Sequence, residues 1–269
     1  MNITPVRRWL PLLLAAAGTV THPGLADAAT CAARGGPGVP AVVELYTSEG
    51  CDSCPPADRW LAALVPRGGA PEIIGLAFHV DYWDRLGWKD RFASPAWTER
   101  QYQAMRANRA GFVYTPQVLV QGRDFAAWRG RDAAATVAGA AGRPARSDLS
   151  VEVVARQDVI AVKADARVAP ADRDHTVVEV AYVDSGLVSD VRSGENAGAR
   201  LTHDHLVRAL GRGPAFDARG ESKGEVVLPL PSERGSAPRI VALVRNPATG
   251  NVLQALALPL DVSPCKPGR

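Results

Sequence analysis

The sequence predicts an α/β domain that is followed by an antiparallel β-sandwich. In the first half, continuous apolar runs at 41–47 and 72–80 predict buried strands, and segments with a helical period follow them. In the second half, apolar residues recur at alternate positions in several short segments, which is typical of a sandwich. Gly142–Arg143–Pro144 lies between the two patterns and indicates a linker, so we expect domains over 29–143 and 144–269.

The first 28 residues have the composition of a secretory signal peptide. Arg7 and Arg8 form a positive start, an apolar run follows at 9–20, and Ala26–Asp27–Ala28 matches a small-x-small cleavage site. The alternative is a membrane anchor, but about twelve apolar residues with a proline among them are too few to span a bilayer. We therefore expect a periplasmic or secreted protein without stable membrane insertion.

The first domain is predicted to have the element order β-α-β-α-β-β-α. After the strand at 41–47, a helix begins near Pro55–Pro56, because prolines in the first turn of a helix sacrifice no hydrogen bond. Residues 81–95 fit no simple period and predict a loop or a short helical insertion. The later elements are predicted as a helix at 96–109, a hairpin at 117–121 and 123–128, and a helix at 131–141.

The second domain is predicted to consist of strands. Apolar side chains alternate with polar ones from Leu149 to Val153, and the same pattern recurs along the rest of the chain. Asn246 to Asn251 has the composition of a turn between two strands. The other predicted strands are 160–168, 178–182, 224–230, 239–245 and 252–258.

Composition argues against a nucleic-acid-binding protein and favours a protein with disulfide bonds. The 269 residues are 46% hydrophobic and 22% charged with a net charge of +3, and no basic–aromatic run points to a nucleic-acid partner. An even number of cysteines in an oxidising compartment favours disulfides. Four cysteines allow three pairings, and position along the chain suggests Cys51 with Cys54 and Cys31 with Cys265.

The Cys51–Asp52–Ser53–Cys54 segment carries the clearest chemical signal, because it joins a strand to a helix. Two intervening residues in the first turn of a helix bring two sulfurs within bonding distance, and the helix N-terminus stabilises a thiolate. Cys51 would attack a substrate disulfide, and Cys54 would resolve the mixed disulfide. The alternatives are a static disulfide and half of a zinc site, which needs further ligands.

The order strand, Cys-x-x-Cys, helix and then Thr115–Pro116 before a strand resembles the thioredoxin superfamily. The resemblance implies that Pro116 is a cis proline against the disulfide and that Thr115 contacts substrate backbone. Glu44 would be a proton acceptor for Cys54, although a buried, hydrogen-bonded glutamate is an equal alternative. Asp52–Ser53 replaces the Gly-Pro of thioredoxin, which leaves the direction of electron flow open.

A closer resemblance covers nearly the whole mature chain. The strings at 44–51, 79–84 and 114–117, together with Gly194–Glu195–Asn196 and His203–Asp204–His205, are similar to a secreted bacterial thioredoxin-like family. This is domain-of-unknown-function family 1223. The resemblance implies a thioredoxin-like first domain and an extracytoplasmic location, without an established substrate.

Two further groups of polar residues have open interpretations. His79, Asp81 and Asp84 around Tyr82–Trp83 fit either a substrate-docking rim or a polar cluster that packs the tryptophan on the core. Glu195, His203 and His205 lie close in sequence, and two histidines two positions apart on a strand share a face. Without a clear third ligand we assign no metal there.

We therefore expect a thiol–disulfide oxidoreductase that acts without a cofactor on exported protein thiols or disulfides. A redox partner would restore its cysteines, and the catalytic residues would be Cys51, Cys54, Pro116, Thr115 and Glu44. The alternatives are a periplasmic copper-binding chaperone that uses the same thiols and a non-catalytic binding protein with a structural disulfide.

Overall fold

The computed structural model of the chain describes residues 1, 31–67, 72–155, 158–260 and 265. The predicted signal peptide therefore lies, apart from Met1, outside the described residues. None of the described helices is long and apolar enough to cross a membrane. The strands are β1 (Ala32–Arg34), β2 (Gly38–Val39), β3 (Ala41–Thr47), β4 (Ile73–His79), β5 (Gln117–Val120), β6 (Arg123–Asp124), β7 (Arg143–Pro144), β8 (Ser147–Ala155), β9 (Val159–Val168), β10 (Val177–Asp184), β11 (Leu187–Asp190), β12 (Arg200–His203), β13 (Leu206–Arg212), β14 (Glu221–Pro229), β15 (Arg239–Arg245) and β16 (Val252–Pro259), and the helices are α1 (Pro55–Leu64), α2 (Pro95–Ala107) and α3 (Ala133–Gly139).

Local sequence explains where the helices begin. Both α1 and α2 have proline at their first positions, and the Ser94 hydroxyl accepts a hydrogen bond from the Ala96 N–H at the start of α2. The aperiodic segment before α2 contains one short 3₁₀ turn, Asp84–Leu86, which ends at Gly87 with a φ of 99°. Only glycine adopts that φ without strain, so the turn ends there.

An eight-stranded mixed sheet is the centre of the fold, in the order β16-β15-β10-β13-β4-β3-β5-β6. Strand β4 is parallel to both β3 and β13, and the other neighbours are antiparallel. Leu61 of α1 and Val137 of α3 pack on one face of β3, while Trp97 of α2 packs on the other face. The end of β3 therefore lies between two helical layers, and the cysteine pair follows it.

A second sheet of four strands, β1-β8-β9-β14, packs against the second-half strands of the large sheet. The core between them contains Ile160 and Val162 from one sheet and Val180 and Ile240 from the other. The predicted Cys31–Cys265 disulfide is confirmed, and both of its cysteines lie in this core.

The predicted fold class, a thioredoxin-like domain followed by a separate β-sandwich, is wrong. The fold is mostly β, and strands from both halves form the eight-stranded sheet because β13 pairs with β4. Strand β1, from the first half of the sequence, pairs with β8 in the other sheet. Hydrophobic period places elements along the chain but carries no information about which distant strands pair, so it missed this arrangement. The limits 29–143 and 144–269 stay a prediction.

The two halves of the chain meet where β13 pairs with β4, and we call this region the seam. It is tightly packed around His205. The Ala77 N–H donates to the His205 carbonyl oxygen at 2.7 Å, and a Cβ on Gly75 would lie only 3.1 Å from the His205 ring. Nε2 of the ring lies 2.7 Å from the Val65 carbonyl oxygen and therefore carries the hydrogen. Burial is the main cause that lowers the pKa of His205 to about 4, and the charge of Arg239 adds to it.

We expect His205 to make the folded protein less stable as the pH falls from about 6.5 to 4. In that window the unfolded chain binds a proton at this position and the folded protein does not, so stability rises with pH. A pKa displaced from 6.5 to about 4 corresponds to about 3 kcal/mol. In the His205→Asn variant the free energy of unfolding, measured in urea, should vary less across this window.

His175→Asn is the matched control, because His175 is exposed and has a similarly left-handed φ, 61° against 57° for His205. Its pH profile should follow that of the unaltered protein. If the free energy of unfolding changes equally with pH in the unaltered protein and in His205→Asn, the low pKa of His205 is contradicted.

A buried ionic network ties α2 to the second-half strands. Glu179 of β10 accepts hydrogen bonds from Arg100 of α2 at 2.8 Å and from Arg245 of β15 at 2.7 Å. Burial raises the pKa of Glu179, but the charges of the two guanidinium groups outweigh burial and lower it to about 2. Arg100 also donates to Glu44 at 3.2 Å, so the network reaches β3.

The Glu179→Gln variant should lower the free energy of unfolding by about 3–5 kcal/mol, because it removes the charged partner of the buried Arg245 and leaves the buried Arg100 with Glu44 alone. Glu99→Gln on the exposed face of α2 removes a surface partner of Arg106 and should cost much less. Urea unfolding measures both, and equal losses would show that the network does not stabilise the fold.

Candidate functional site

The cysteine turn, residues 48–54, connects the end of β3 to the start of α1. Cys51 and Cys54 form the predicted disulfide, with their Cα atoms 5.4 Å apart. The turn is held by main-chain hydrogen bonds from Cys51 N–H to Ser48 and from Cys54 N–H to Cys51, both 3.2 Å. Both cysteines are fully buried, at 0% exposure.

Thr115 and Pro116 lie beside this turn. The Thr115–Pro116 peptide bond is cis, as the resemblance implied, and β5 begins at the next residue, whose partner on β3 is Tyr46. Trp83 connects the two segments: its indole N–H donates to the Thr115 hydroxyl at 2.8 Å, and its Cβ lies 3.1 Å from where a Cβ on Gly50 would be. A side chain at Gly50 would therefore displace Trp83.

Glu44 is placed differently from the other predicted residues. Its carboxylate accepts hydrogen bonds from Arg100 and, at 3.1 Å, from the Tyr46 hydroxyl, on the face of β3 that α2 covers. Helix α1, which Cys54 precedes, packs on the opposite face. Trp83 thus links the Thr115–Pro116 segment to the turn that holds Cys51 and Cys54, whereas Glu44 lies in the ionic network behind the sheet.

Four buried side chains behind the cysteine turn form a histidine–carboxylate cluster, which consists of Glu49, His79, Asp90 and His203. His79 Nδ1 and Asp90 Oδ2 are 2.6 Å apart, His203 Nε2 and Glu49 Oε1 are 3.1 Å apart, and the two imidazole rings meet edge to face at 5.0 Å. Asp90 also accepts the Glu49 N–H at 2.9 Å, and the Trp88 indole donates to Glu49 at 2.6 Å. The cluster therefore anchors the residue two positions before Cys51.

Mutual interactions favour the charged forms of Glu49, Asp90 and His79 in spite of burial. Burial by itself raises the pKa of both carboxyl groups. Hydrogen bonding to His203 outweighs burial at Glu49, and the charge of His79 outweighs it at Asp90, so both pKa values are lowered. Burial lowers the pKa of His79, but the charge and hydrogen bond of Asp90 raise it above its ordinary value. A proton is therefore held on His79 over a wider pH range than on an isolated imidazole.

Asp58 is a further acidic group beside the turn. It lies in the first turn of α1, four residues after Cys54, so the two side chains are neighbours on the helix surface. Burial raises the pKa of Asp58, and the charge of His79 offsets part of the rise. Asp58 is thus a carboxyl group that retains its proton to higher pH than an exposed aspartate.

A hairpin from the second half of the chain covers the cysteine turn. Strands β11 and β12 pair with each other, and the hairpin tip, residues 191–199, lies between them. Within the tip, Asn196 Nδ2 donates to the carbonyl oxygens of Glu49 at 2.8 Å and Cys51 at 2.9 Å. The Asp52 N–H donates to Glu195 at 3.2 Å.

Glu195, His203 and His205, whose interpretation the sequence left open, lie in three different places. Glu195 contacts the cysteine turn, His203 joins the histidine–carboxylate cluster, and His205 lies in the seam. Within the described part of the chain, no three or more His, Cys, Asp or Glu side chains are arranged so that they could hold a metal ion.

Sequence analysis missed Glu49, Asp58, Asp90 and Asn196 as parts of the site. The motif strings at 44–51 and 194–196 do contain Glu49 and Asn196, but nothing in their spacing predicts that they meet. Asp90 lies in an aperiodic segment, and tertiary packing alone brings it to Glu49.

Comparisons with known proteins agree with one continuous fold. The profile of a family described as "Protein of unknown function (DUF1223)" matches residues 42–245, which include the cysteine turn and the hairpin tip. A solved protein of Agrobacterium tumefaciens is 28% identical with a TM-score of 0.55, over 82% of this chain and 94% of that one. HBP35 of Porphyromonas gingivalis, 13% identical with a TM-score of 0.56 over 87% and 79% of the two chains, is similar in fold alone. No protein of curated function matches the chain.

Replacing Asp90 with asparagine should lower the pKa of His79 below that of an ordinary histidine. Burial would then act on the imidazolium without the aspartate charge that offsets it. Titration of the His79 ring protons by NMR measures this. The control is Asp190→Asn on β11, which alters an exposed partner of Arg200. It should leave the His79 titration unchanged. A His79 pKa unaltered by Asp90→Asn would contradict the pairing.

Proposed function

The chain belongs to the DUF1223 family, and from the chemistry of its cysteine turn we propose that it exchanges disulfides with exported proteins. The observation that carries the proposal is the Cys51–Cys54 disulfide, which immediately precedes a ten-residue helix and has buried acid–base groups behind it. The two disulfides of the chain also point to an oxidising environment.

The exchange consists of two nucleophilic substitutions at sulfur. A thiolate of a substrate dithiol attacks Cys51 Sγ, the bond to Cys54 breaks, and Cys54 leaves as a thiolate. The second substrate thiolate then attacks the substrate sulfur of this mixed disulfide and expels Cys51. Two electrons pass to the protein, the substrate leaves as a disulfide, and two protons complete the protein thiols. A disulfide protein that serves as redox partner accepts the two electrons, becomes a dithiol and restores the Cys51–Cys54 bond.

Local geometry supports the assignment of roles. The partial positive charge at the N-terminus of α1 stabilises a thiolate at the cysteine pair. Asp58, with its raised pKa, is a group that exchanges a proton with the leaving Cys54 thiolate, in place of the predicted Glu44. Thr115 and Pro116 provide the main chain beside which a substrate segment would lie.

The proposal rests on the cysteine pair and does not require membership of the thioredoxin superfamily. Exchange needs a thiolate and a nearby second thiol, and the scaffold that holds them varies. Of the alternatives, a fixed structural brace makes the clearest competing prediction, because such bonds have reduction potentials below about −300 mV.

We expect the protein to accelerate insulin reduction or the refolding of scrambled disulfides, and the Cys51→Ser variant to lose this activity completely. Cys54→Ser should accumulate a mixed disulfide with the substrate, because no second thiol releases it. Gel analysis after acid quenching detects that species. The reduction potential of the pair, equilibrated against glutathione, should lie above about −300 mV.

The double variant Cys31→Ala, Cys265→Ala is the matched control, since it removes the disulfide that lies in the other core. It should retain exchange activity at temperatures where circular dichroism shows it folded. Activity equal to that of Cys51→Ser in every assay, together with a potential below about −300 mV, would identify the Cys51–Cys54 bond as a brace.

A further inference from the structure

The burial of the cysteine pair prevents direct attack on its sulfurs. Cys51 and Cys54 have no solvent-exposed surface, and attack on a disulfide needs a nucleophile in line with the bond between the sulfurs. A reductant or a substrate thiol therefore reaches these sulfurs only after a neighbouring segment moves. The hairpin tip is the segment whose contacts with the turn are best defined.

From these contacts we infer that the hairpin tip, residues 191–199, is a lid over the cysteine pair and that Asn196 is its latch. One side-chain amide of Asn196 bridges the carbonyl oxygens of Glu49 and Cys51, which flank Gly50. Both bonds are lost together when the tip lifts, while the cysteine turn keeps its own main-chain bonds.

The other contacts of the lid are two hydrogen bonds and close packing on Trp88, and Val191 at its neck is buried. Glu195 accepts the Asp52 N–H, and the Ser193 hydroxyl donates to the Gly87 carbonyl oxygen at 2.6 Å. A Cβ at Gly194 would lie 3.2 Å from the Cβ of Trp88, so the tip packs closely on the segment that contributes Trp88 to Glu49. The side chain of Glu195 is exposed, as are Ala197 and Gly198, so the outer surface of the lid faces solvent.

The tip is able to move as a unit because its internal structure does not depend on the turn. Val191 N–H donates to Ala199 at 2.9 Å and Gly198 N–H donates to Val191 at 2.8 Å, which closes the loop at its neck. Gly194 and Gly198 adopt φ values of 76° and 85° that make the tight turns of the tip. The base of the hairpin stays attached through His203, which the histidine–carboxylate cluster holds. Opening therefore breaks the latch and leaves the hairpin intact.

The lid is tested by the rate at which a small reductant opens each disulfide. The phosphine tris(2-carboxyethyl)phosphine attacks one sulfur and breaks the bond, and hydrolysis yields a phosphine oxide and two thiols with the consumption of one water. Samples taken with time are alkylated, and peptide mass spectrometry reports the Cys51–Cys54 and Cys31–Cys265 bonds separately. The second bond, whose cysteines are 7% exposed, is an internal reference in the same molecule.

The Asn196→Ala variant should increase the rate of Cys51–Cys54 reduction about tenfold, since two hydrogen bonds no longer hold the lid. The rate for Cys31–Cys265 should stay the same. Glu195→Ala, at an exposed position that does not endanger folding, should increase the first rate by a smaller factor.

Asn108→Ala is the matched control, because the amide of Asn108 likewise bridges two carbonyl oxygens, those of Ala104 and Gly122, at the end of α2. It should leave the ratio of the two rates unchanged. The inference is overturned if Asn196→Ala and Glu195→Ala both leave that ratio unchanged. The assay measures access and not exchange, so a failed lid would leave the proposed function standing, and a failed function would leave the lid standing.

Discussion

Strand β13 pairs with strand β4 in parallel at Leu206 and Ala77, and this short pairing carries the second half of the chain to the cysteine turn. The residues just before β13 then have nowhere to lie except against the end of β4. His203 meets His79 there, and the β11–β12 hairpin extends across Cys51. Without this pairing the disulfide would be open on one side, and the histidine–carboxylate cluster would lack one of its two histidines.

Buried charge is the second constraint on the site, and it acts on both faces of the large sheet. On the α2 face, Arg100 and Arg245 both pair with Glu179, and Arg100 also reaches Glu44. Behind the cysteine turn, histidines satisfy Glu49 and Asp90. Each carboxylate in these groups would cost several kcal/mol to bury alone, so partners from distant segments must arrive together for the fold to form. This mutual dependence restricts movement at the end of β3. The turn that follows therefore holds its two sulfurs in a fixed position.

The two disulfides serve different parts of the structure. Cys31–Cys265 lies in the core between the two sheets and joins residues 234 positions apart, so it ties the ends of the described chain together. Cys51–Cys54 spans three positions at the start of a helix and therefore restricts the unfolded chain little. The short span of this bond and the ionisable groups behind its turn are the grounds for the reaction that we propose. The reaction that we propose and the lid that we infer both depend on this difference.

The amino-acid sequence by itself determined the local elements and the cysteine pair: the strand that ends at Thr47, the prolines that begin α1, and the two cysteines between them. These are local features, set by hydrophobic period, by backbone restriction at proline and by the spacing of the sulfurs. Only the tertiary structure decided that both halves share one sheet, that Glu44 pairs with arginine and that Asn196 reaches Cys51. Strand pairing and buried ion pairs join residues far apart in the chain, and no local period encodes which of many similar strands or charges will meet.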